Sequence, residues 1–161
     1  MTSIKYDDIF ELFLGQITDY KIAEMNMSDA YELMTGYLHN VIRQAYVRRL
    51  FSTCQMDDDI QTLTYELKLP TTEGSDDTEN TSIDEDFVKG MLSDGMVLEW
   101  VTPQVNKITN ITQMFAGKEQ KFYAQSSHLS ELQALKENIY LKFRREIRDR
   151  GVITNEYLYN S

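Results

Sequence analysis

The chain has 161 residues, 42% of them hydrophobic, with ten tyrosines and seven phenylalanines, which is too apolar for a disordered chain and sufficient for one folded domain. Its formal net charge of −10 means that the average surface repels phosphates, which disfavours a DNA-binding protein. Cys54 is the only cysteine, as fits a chain made in a reducing cytoplasm, and the sequence has neither a signal-peptide pattern nor a run of about eighteen uncharged apolar residues, so we expect no membrane span.

Two amphipathic segments open the chain. Residues 6–17 repeat apolar side chains at intervals of three and four, with two acids in the first turn, which predicts a short helix. Ser28 then predicts an N-cap for a long core helix over residues 29–50. The apolar stripe of this second helix is the clearest in the sequence and comprises Ala30, Leu33, Met34, Tyr37, Leu38, Val41, Ile42, Ala45 and Tyr46.

The hydrophobic period changes after an acidic run at residues 57–59. Apolar and polar residues alternate over residues 62–69, which predicts a β-strand that pairs either within the chain or with a neighbouring subunit. Residues 71–81 contain no apolar or basic residue, so we expect an exposed, mobile loop, and their acids lack the spacing of a calcium-binding loop. The candidate functional acids in these two runs are Asp57, Asp58, Asp59, Glu73, Asp76, Asp77 and Glu79.

Two more helical regions follow. A capping box at residues 82–85 predicts a helix start, and we expect Gly90 and Gly95 to allow close packing against a neighbour. Pro103 is expected to kink or end that helix or to begin the next, a shorter helical patch at residues 108–115. A final helix is predicted between residues 123 and 150, with Gly151 just after its end and with apolar residues Leu132, Leu135, Ile139, Phe143 and Ile147.

The end of the last predicted helix is basic, and the segment after it is apolar. Positive charge at a helix C-terminus complements the helix dipole, so we favour that interpretation over contact with nucleic acid. The tail at residues 152–159 is rich in β-branched and aromatic residues and predicts contact with a partner surface. The basic residues are Lys142, Arg144, Arg145, Arg148 and Arg150.

No residue pattern in the sequence predicts an enzyme. His39 and His128 lie on different predicted helices without metal-ligand spacing, and we expect each to be a surface or capping residue. The sequence contains neither a nucleophile elbow nor a glycine-rich phosphate-binding motif. The acids lie in polar surroundings that would keep them ionised rather than suit them to acid catalysis. We therefore expect a non-enzymatic protein without a cofactor or metal.

The predicted fold class is mainly α. We expect a small bundle of about four to five helices with a short β-strand or hairpin insertion and an extended C-terminal tail. The helical domain is placed at residues 1–151, with the strand and acidic loop inserted at about residues 61–81, and the docking tail at residues 152–161.

Several stretches resemble a known family. Residues 96–105 (MVLEWVTPQV) and 118–132 (KEQKFYAQSSHLSEL) resemble the small helical neck proteins of tailed bacteriophages, the head-tail connectors or adaptors. Residues 6–10, 17–20, 36–38 and 157–161 fit the same pattern, so the resemblance touches most of the chain. It departs at about residues 61–81, where the strand and acidic loop carry nothing over from the family.

The resemblance implies a virion protein made in the host cytoplasm. Such subunits form a ring, typically of about twelve copies, that docks under the portal. The DNA channel continues through this ring to a stopper or tail component. An acidic channel lining repels phosphate, so DNA would pass without specific binding, and the candidate acids are expected in the channel or its loops. The residues expected to dock on the portal are Val152, Ile153, Tyr157, Leu158 and Tyr159.

Two alternatives remain open at this point. A stopper or tail-completion protein would have the same small size, helical parts and free termini. A small acidic inhibitor that mimics DNA would fit the net charge, although mimicry needs acids spaced along one face and the acids here are concentrated in one loop region.

Overall fold

The computed structural model describes residues 1–17, 20–114 and 119–152. The structure is mainly helical, 69% helix, with a small three-stranded antiparallel sheet, which confirms the predicted fold class. Within the described residues the bundle has six helices, two of them short, rather than four to five. The elements are β1 (Thr2–Lys5), α1 (Tyr6–Leu14), α2 (Tyr20–Glu24), α3 (Met27–Arg43), α4 (Ala45–Arg48), β2 (Phe51–Asp57), β3 (Thr62–Leu67), α5 (Asp77–Met114) and α6 (Glu119–Val152).

Helices α5 and α6 form a long hairpin that makes up much of the molecule. At 1.5 Å per residue, α5 is about 57 Å long and α6 about 51 Å. They run antiparallel, because Asp84 near the start of α5 pairs with Arg150 near the end of α6, and Asp94 pairs with Lys142 about two to three turns further in. Helices α1 and α3 pack on α5, so α5 lies at the centre of the bundle. None of the described helices combines the length and hydrophobicity needed to cross a bilayer.

Helix α5 begins earlier than the capping box predicted. The Asp76 carboxylate accepts a hydrogen bond from the backbone N–H of Glu79 at 2.8 Å, which caps the helix six residues before Ser82, the predicted N-cap. The expected loop is therefore shorter, because residues 77–81 form the first turns of α5. Acids at a helix N-terminus are favoured by the helix dipole, which explains why an acidic run without apolar residues can start this helix.

The same helix also continues through Pro103, which corrects the expectation of a separate patch at residues 108–115. Proline removes one backbone donor from the helical ladder. Two neighbouring side chains make hydrogen bonds to carbonyls at this point: the Thr102 hydroxyl donates to Leu98 O at 2.7 Å, and the Gln104 amide donates to Trp100 O at 3.2 Å. Continuous packing of α5 against α6 outweighs the local proline penalty, so the helix does not end.

The predicted core helix is divided in two. Asn26, not Ser28, is its N-cap, because the Asn26 side chain accepts a hydrogen bond from Asp29 N at 2.8 Å. The helix ends at Arg43, and Gln44 adopts an extended conformation with ψ of 129° before the short helix α4. The apolar stripe is as expected at Met34, Leu38, Val41 and Ile42, which are all buried, but Ala45 is exposed and Val47 of α4 is buried instead, because the helix breaks at Gln44.

The predicted strand is the centre of a sheet with the order β1-β3-β2. Both neighbours come from the same chain, so β3 pairs within the chain on both sides. The sheet is consequently not an insertion at residues 61–81, because it uses residues 2–5 and 51–57 as well. Ile4 pairs with Leu63 and Met56 also pairs with Leu63, which joins the N-terminus to the β2–β3 hairpin.

Helices α3, α5 and α6 pack closely where they cross at Gly95. A Cβ atom added at Gly95 would lie 2.6 Å from Cγ1 of Val41 and 3.1 Å from Cε2 of Phe143, so the expected close approach is confirmed there. At Gly90 a Cβ atom would meet no described atom within 4 Å, and that expectation is wrong. Gly151 lies inside α6 rather than after it. The predicted face of α6 is confirmed, with Leu132, Ile139, Phe143 and Ile147 buried and Leu135 partly buried.

Candidate functional site

The candidate acids form two groups at opposite ends of β3. Residues 57–59 end β2 and begin the turn before β3, whereas residues 73–79 lie in the segment between β3 and α5 and in its first turn. Six strand residues span about 20 Å, so the structure does not bring the two groups together. Each group is therefore described by its own contacts.

In the first group, Asp57 shapes the β2–β3 turn. Its Oδ1 accepts hydrogen bonds from Asp59 N at 3.1 Å and from Ile60 N at 3.3 Å. Gln61 closes the turn in the left-handed region, with φ of 54°. A side chain that accepts bonds from the next backbone N–H groups is a standard turn-forming arrangement, so Asp57 acts on local structure as well as on surface charge.

Asp58 links three elements. Its Oδ1 accepts a hydrogen bond from the Tyr6 hydroxyl at 2.7 Å, and its Oδ2 lies 2.9 Å from Nε2 of His39 on α3. The hydrogen bonds from Tyr6 and His39 hold the pKa of Asp58 below its ordinary value. Burial and the Asp58 contact raise the pKa of Tyr6. Asp58 was expected to be a solvated acid, but although half exposed it also holds the turn against α1 and α3.

An open groove of about 810 Å³ lies beside this link, between α1, α3 and the turn. On its wall the Tyr31 hydroxyl donates a hydrogen bond to Asp7, and burial together with this contact raises the pKa of the tyrosine. Among the described residues no group of three or more histidine, cysteine or acidic side chains could hold a metal ion. The groove is lined by Asp7, Met27, Ser28, Tyr31, Glu32, Thr35, Asp58 and Gln61.

The second group of acids orders the start of α5. Beside the Asp76 cap, Glu79 accepts a hydrogen bond from Ser75 N at 2.6 Å, and bonds from the Ser75 hydroxyl and backbone hold the pKa of Glu79 below its ordinary value. Asn80 Oδ1 accepts from Gly74 N at 2.7 Å. Glu73 and Asp77 are exposed. These contacts place solvent-facing carboxylates in a hydrogen-bonded segment.

A buried ion pair fixes the end of α6 to the start of α5. Arg150 pairs with Asp84, which also accepts a hydrogen bond from Thr71 N at 3.0 Å, and the guanidinium donates to Leu69 O at 3.3 Å. The same guanidinium lies 4.8 Å from the centre of the Phe87 ring. Sequence reasoning missed this anchor, although one signal was available: Asp84 falls on the apolar face that Phe87 begins.

Other basic residues of α6 also have tertiary partners, so dipole complementarity is only part of their role. The Lys142 ammonium lies 2.8 Å from Oδ2 of the buried residue Asp94. The Arg144 guanidinium lies 4.0 Å above the Tyr46 ring. These contacts bind α6 to α5 and to α4.

The predicted docking tail falls mostly outside the described residues. Val152 is the last residue of α6. Ile153, Tyr157, Leu158 and Tyr159 lie beyond the described residues, so their expected role stays a prediction.

Comparisons of the chain with protein-family models, with curated proteins and with solved structures found no match.

Proposed function

We propose that this chain is a non-enzymatic structural subunit of the bacteriophage neck. In this proposal it forms a ring that connects the portal of the capsid to a stopper or tail component, and DNA passes through the ring without specific binding. The observation that carries the proposal is the resemblance of residues 96–105 and 118–132 to phage connector proteins.

The position of those stretches in the fold supports the proposal. Residues 96–105 lie on α5, and residues 119–132 form the start of α6, so both belong to the half of the hairpin that contains its connection. Trp100, Val101 and Leu132 in these stretches are buried. Among the described side chains the resemblance therefore includes residues of the core, which a shared architecture requires.

The placement of the acids supports passage of DNA rather than binding. The lowered pKa values of Asp58 and Glu79 keep both carboxylates ionised at neutral pH. Ionised, exposed carboxylates repel phosphate through a solvent of moderate salt over about 10 Å. The two acid groups lie at opposite ends of β3 rather than in one row, which favours the neck protein over a DNA mimic.

The Arg150–Asp84 anchor supports a docking role for the tail. Because this pair fixes the end of α6, Val152, the last described residue, has a defined place in the domain. We propose that residues 152–159 contact the portal.

A truncation tests this proposal while keeping the anchor. A chain that ends after Arg150 retains the ion pair with Asp84 and should fold, whereas its binding to portal rings in co-sedimentation should fall at least about tenfold relative to the full chain. The control replaces residues 153–161 by a glycine–serine segment of equal length, which should bind as weakly as the truncated chain. Full binding by either variant would contradict the docking role, and no binding by the full chain would contradict the neck function itself.

A further inference from the structure

Three charged side chains meet between α5 and α6. Asp94 comes from α5, and Lys142 and Glu146 lie one turn apart on α6. The Lys142 ammonium lies 2.8 Å from Asp94 Oδ2 and 3.8 Å from Glu146 Oε1. The side chain of Asp94 is only 1% exposed, that of Glu146 is 32% exposed, and that of Lys142 is 56% exposed. Two carboxyl groups therefore share one ammonium at the edge of the core.

This cluster has too few hydrogen-bond donors. The Lys142 ammonium is the only described donor close to Asp94, 2.8 Å from Oδ2, and Oδ1 of Asp94 has no hydrogen-bond partner among the described residues. Oε2 of Glu146 is also buried and has no hydrogen-bond partner in the described part of the chain. Buried acceptors without donors are costly, and a proton held between two neighbouring carboxyl groups would supply the missing donor.

The electrostatics of Glu146 agree with this geometry. Burial, and then the negative charge of Asp94, raise the pKa of Glu146 to about 7, although Lys142 opposes the rise. On the side of α4, Tyr46 is kept neutral by burial, which raises its pKa, and its ring contacts Arg144. The charged groups that act on Glu146 are thus Asp94 across the interface and Lys142 on its own helix.

The cluster is next to the close packing around Gly95. Asp94 precedes Gly95, and Lys142 precedes Phe143, whose ring lies close to Gly95 and is buried. Glu146 and Asp94 lie on the two helices that meet at this crossing, so loss of their contact removes one of the links that hold α6 against α5. Closely packed interiors do not deform gradually, so the contact is either kept or lost.

We propose that Asp94, Lys142 and Glu146 form a proton-dependent clamp between α5 and α6. With one proton between the two carboxyl groups, the cluster has one negative and one positive charge, and α6 is held against α5. Loss of that proton leaves two carboxylates facing one ammonium, and the C-terminal half of α6 loosens. This clamp does not depend on the proposed neck function.

The sign of the pH dependence follows from linkage. Glu146 binds its proton more tightly in the closed state than in an open state with the ordinary carboxyl pKa of 4.5. The clamp therefore holds best below pH 4.5, weakens as the pH rises toward 7, and changes little above that. Hydrogen exchange of the amides in residues 139–150 reports this directly, because it measures how often that part of α6 opens.

The test measures amide exchange in the full chain at pH 5.5 and pH 8, corrected for the intrinsic pH dependence of exchange. Because the Glu146 side chain is partly exposed, we expect the opening constant of residues 139–150 to rise about tenfold between these pH values. Glu146→Gln provides a permanent donor to Asp94, so this variant should show no rise. Glu137→Gln removes an exposed acid from the same helix and should behave as the unmodified chain does.

Two results would overturn the clamp. One is equal protection of residues 139–150 in the unmodified chain at both pH values, and the other is a tenfold rise that survives in Glu146→Gln. Asp94→Asn, which also ends the sharing of a proton, should abolish the rise and serves as a second variant if Glu146→Gln fails to fold. A carbon NMR titration of the Glu146 carboxyl group should give a midpoint near 7, and a midpoint near 4.5 would also contradict the proposal.

Discussion

The carboxylates of helix α5 that contact α6 are buried, whereas the Asp58 carboxylate in the β2–β3 turn is half exposed. On α5, Asp84 and Asp94 point into the interface with α6, and their side chains are 11% and 1% exposed. In the turn, Asp58 also has partners distant in sequence, Tyr6 and His39, but its side chain is 53% exposed. Water can replace the partners of Asp58 and cannot replace those of Asp84, so similar contacts have different energetic weight.

The largest effect is expected at the buried acid Asp84. Asp84→Ala leaves the Arg150 guanidinium, 17% exposed, without its anionic partner, and breaking a buried pair in this way should lower the free energy of unfolding by about 3 kcal/mol. Chemical denaturation measures the change. Arg148→Ala, which removes an exposed ion pair with Asp149, is the control and should cost less than about 1 kcal/mol. Equal losses in the free energy of unfolding for both variants would contradict the larger energetic weight of the buried ion pair.

A pair of glycine substitutions tests how tightly the surroundings of Asp94 are packed. Gly95→Ala places a methyl group against the branched side chain of Val41, and we expect a net destabilisation of about 1–2 kcal/mol after the gain in helix propensity. Gly90→Ala on the same helix meets no described atom within 4 Å and should stabilise by about 0.5–1 kcal/mol. Thermal unfolding measures the change in stability of each variant. Changes of the same sign would contradict close packing at Gly95 and open space at Gly90.

The smallest effect is expected in the turn. Asp58→Asn should lower stability at pH 7 by less than about 1 kcal/mol, because the carboxylate is half exposed. Its pKa is lowered in the folded chain, so its contribution is present above the ordinary carboxyl pKa and is lost as the pH falls from there through the lower pKa of the folded chain. The difference in the free energy of unfolding between Asp58→Asn and the unmodified chain should therefore become smaller at acidic pH. Asp59→Asn, on the next residue, is the matched control, and a larger loss there would contradict the role of Asp58.

Periodic patterns predicted the parts of this fold that depend on one face of one element. The apolar stripe of α6, the core positions of α3 and the alternation of β3 all follow from spacing alone. The start of α5 could not be predicted from spacing. Two capping patterns lie close together, one at Asp76 and one at Ser82, and local propensity favours neither of them. Packing along the whole hairpin favours the longer helix.

The contacts of the acids were the least predictable feature. Asp84 and Asp94 fall on the apolar face of α5, which indicates burial, but only the antiparallel hairpin shows that Arg150 and Lys142 are their partners. Likewise β1 has four residues beside a helix and β2 has a bulge between Phe51 and Thr53, so neither strand has a clear alternation of its own. Long-range pairing, rather than local sequence, defines both.

The most direct test of the proposed function is electron microscopy of the full chain, alone and mixed with portal rings. We expect a ring of the chain stacked on the narrow end of the portal. A chain that stays monomeric at all concentrations and does not associate with the portal would contradict the proposal.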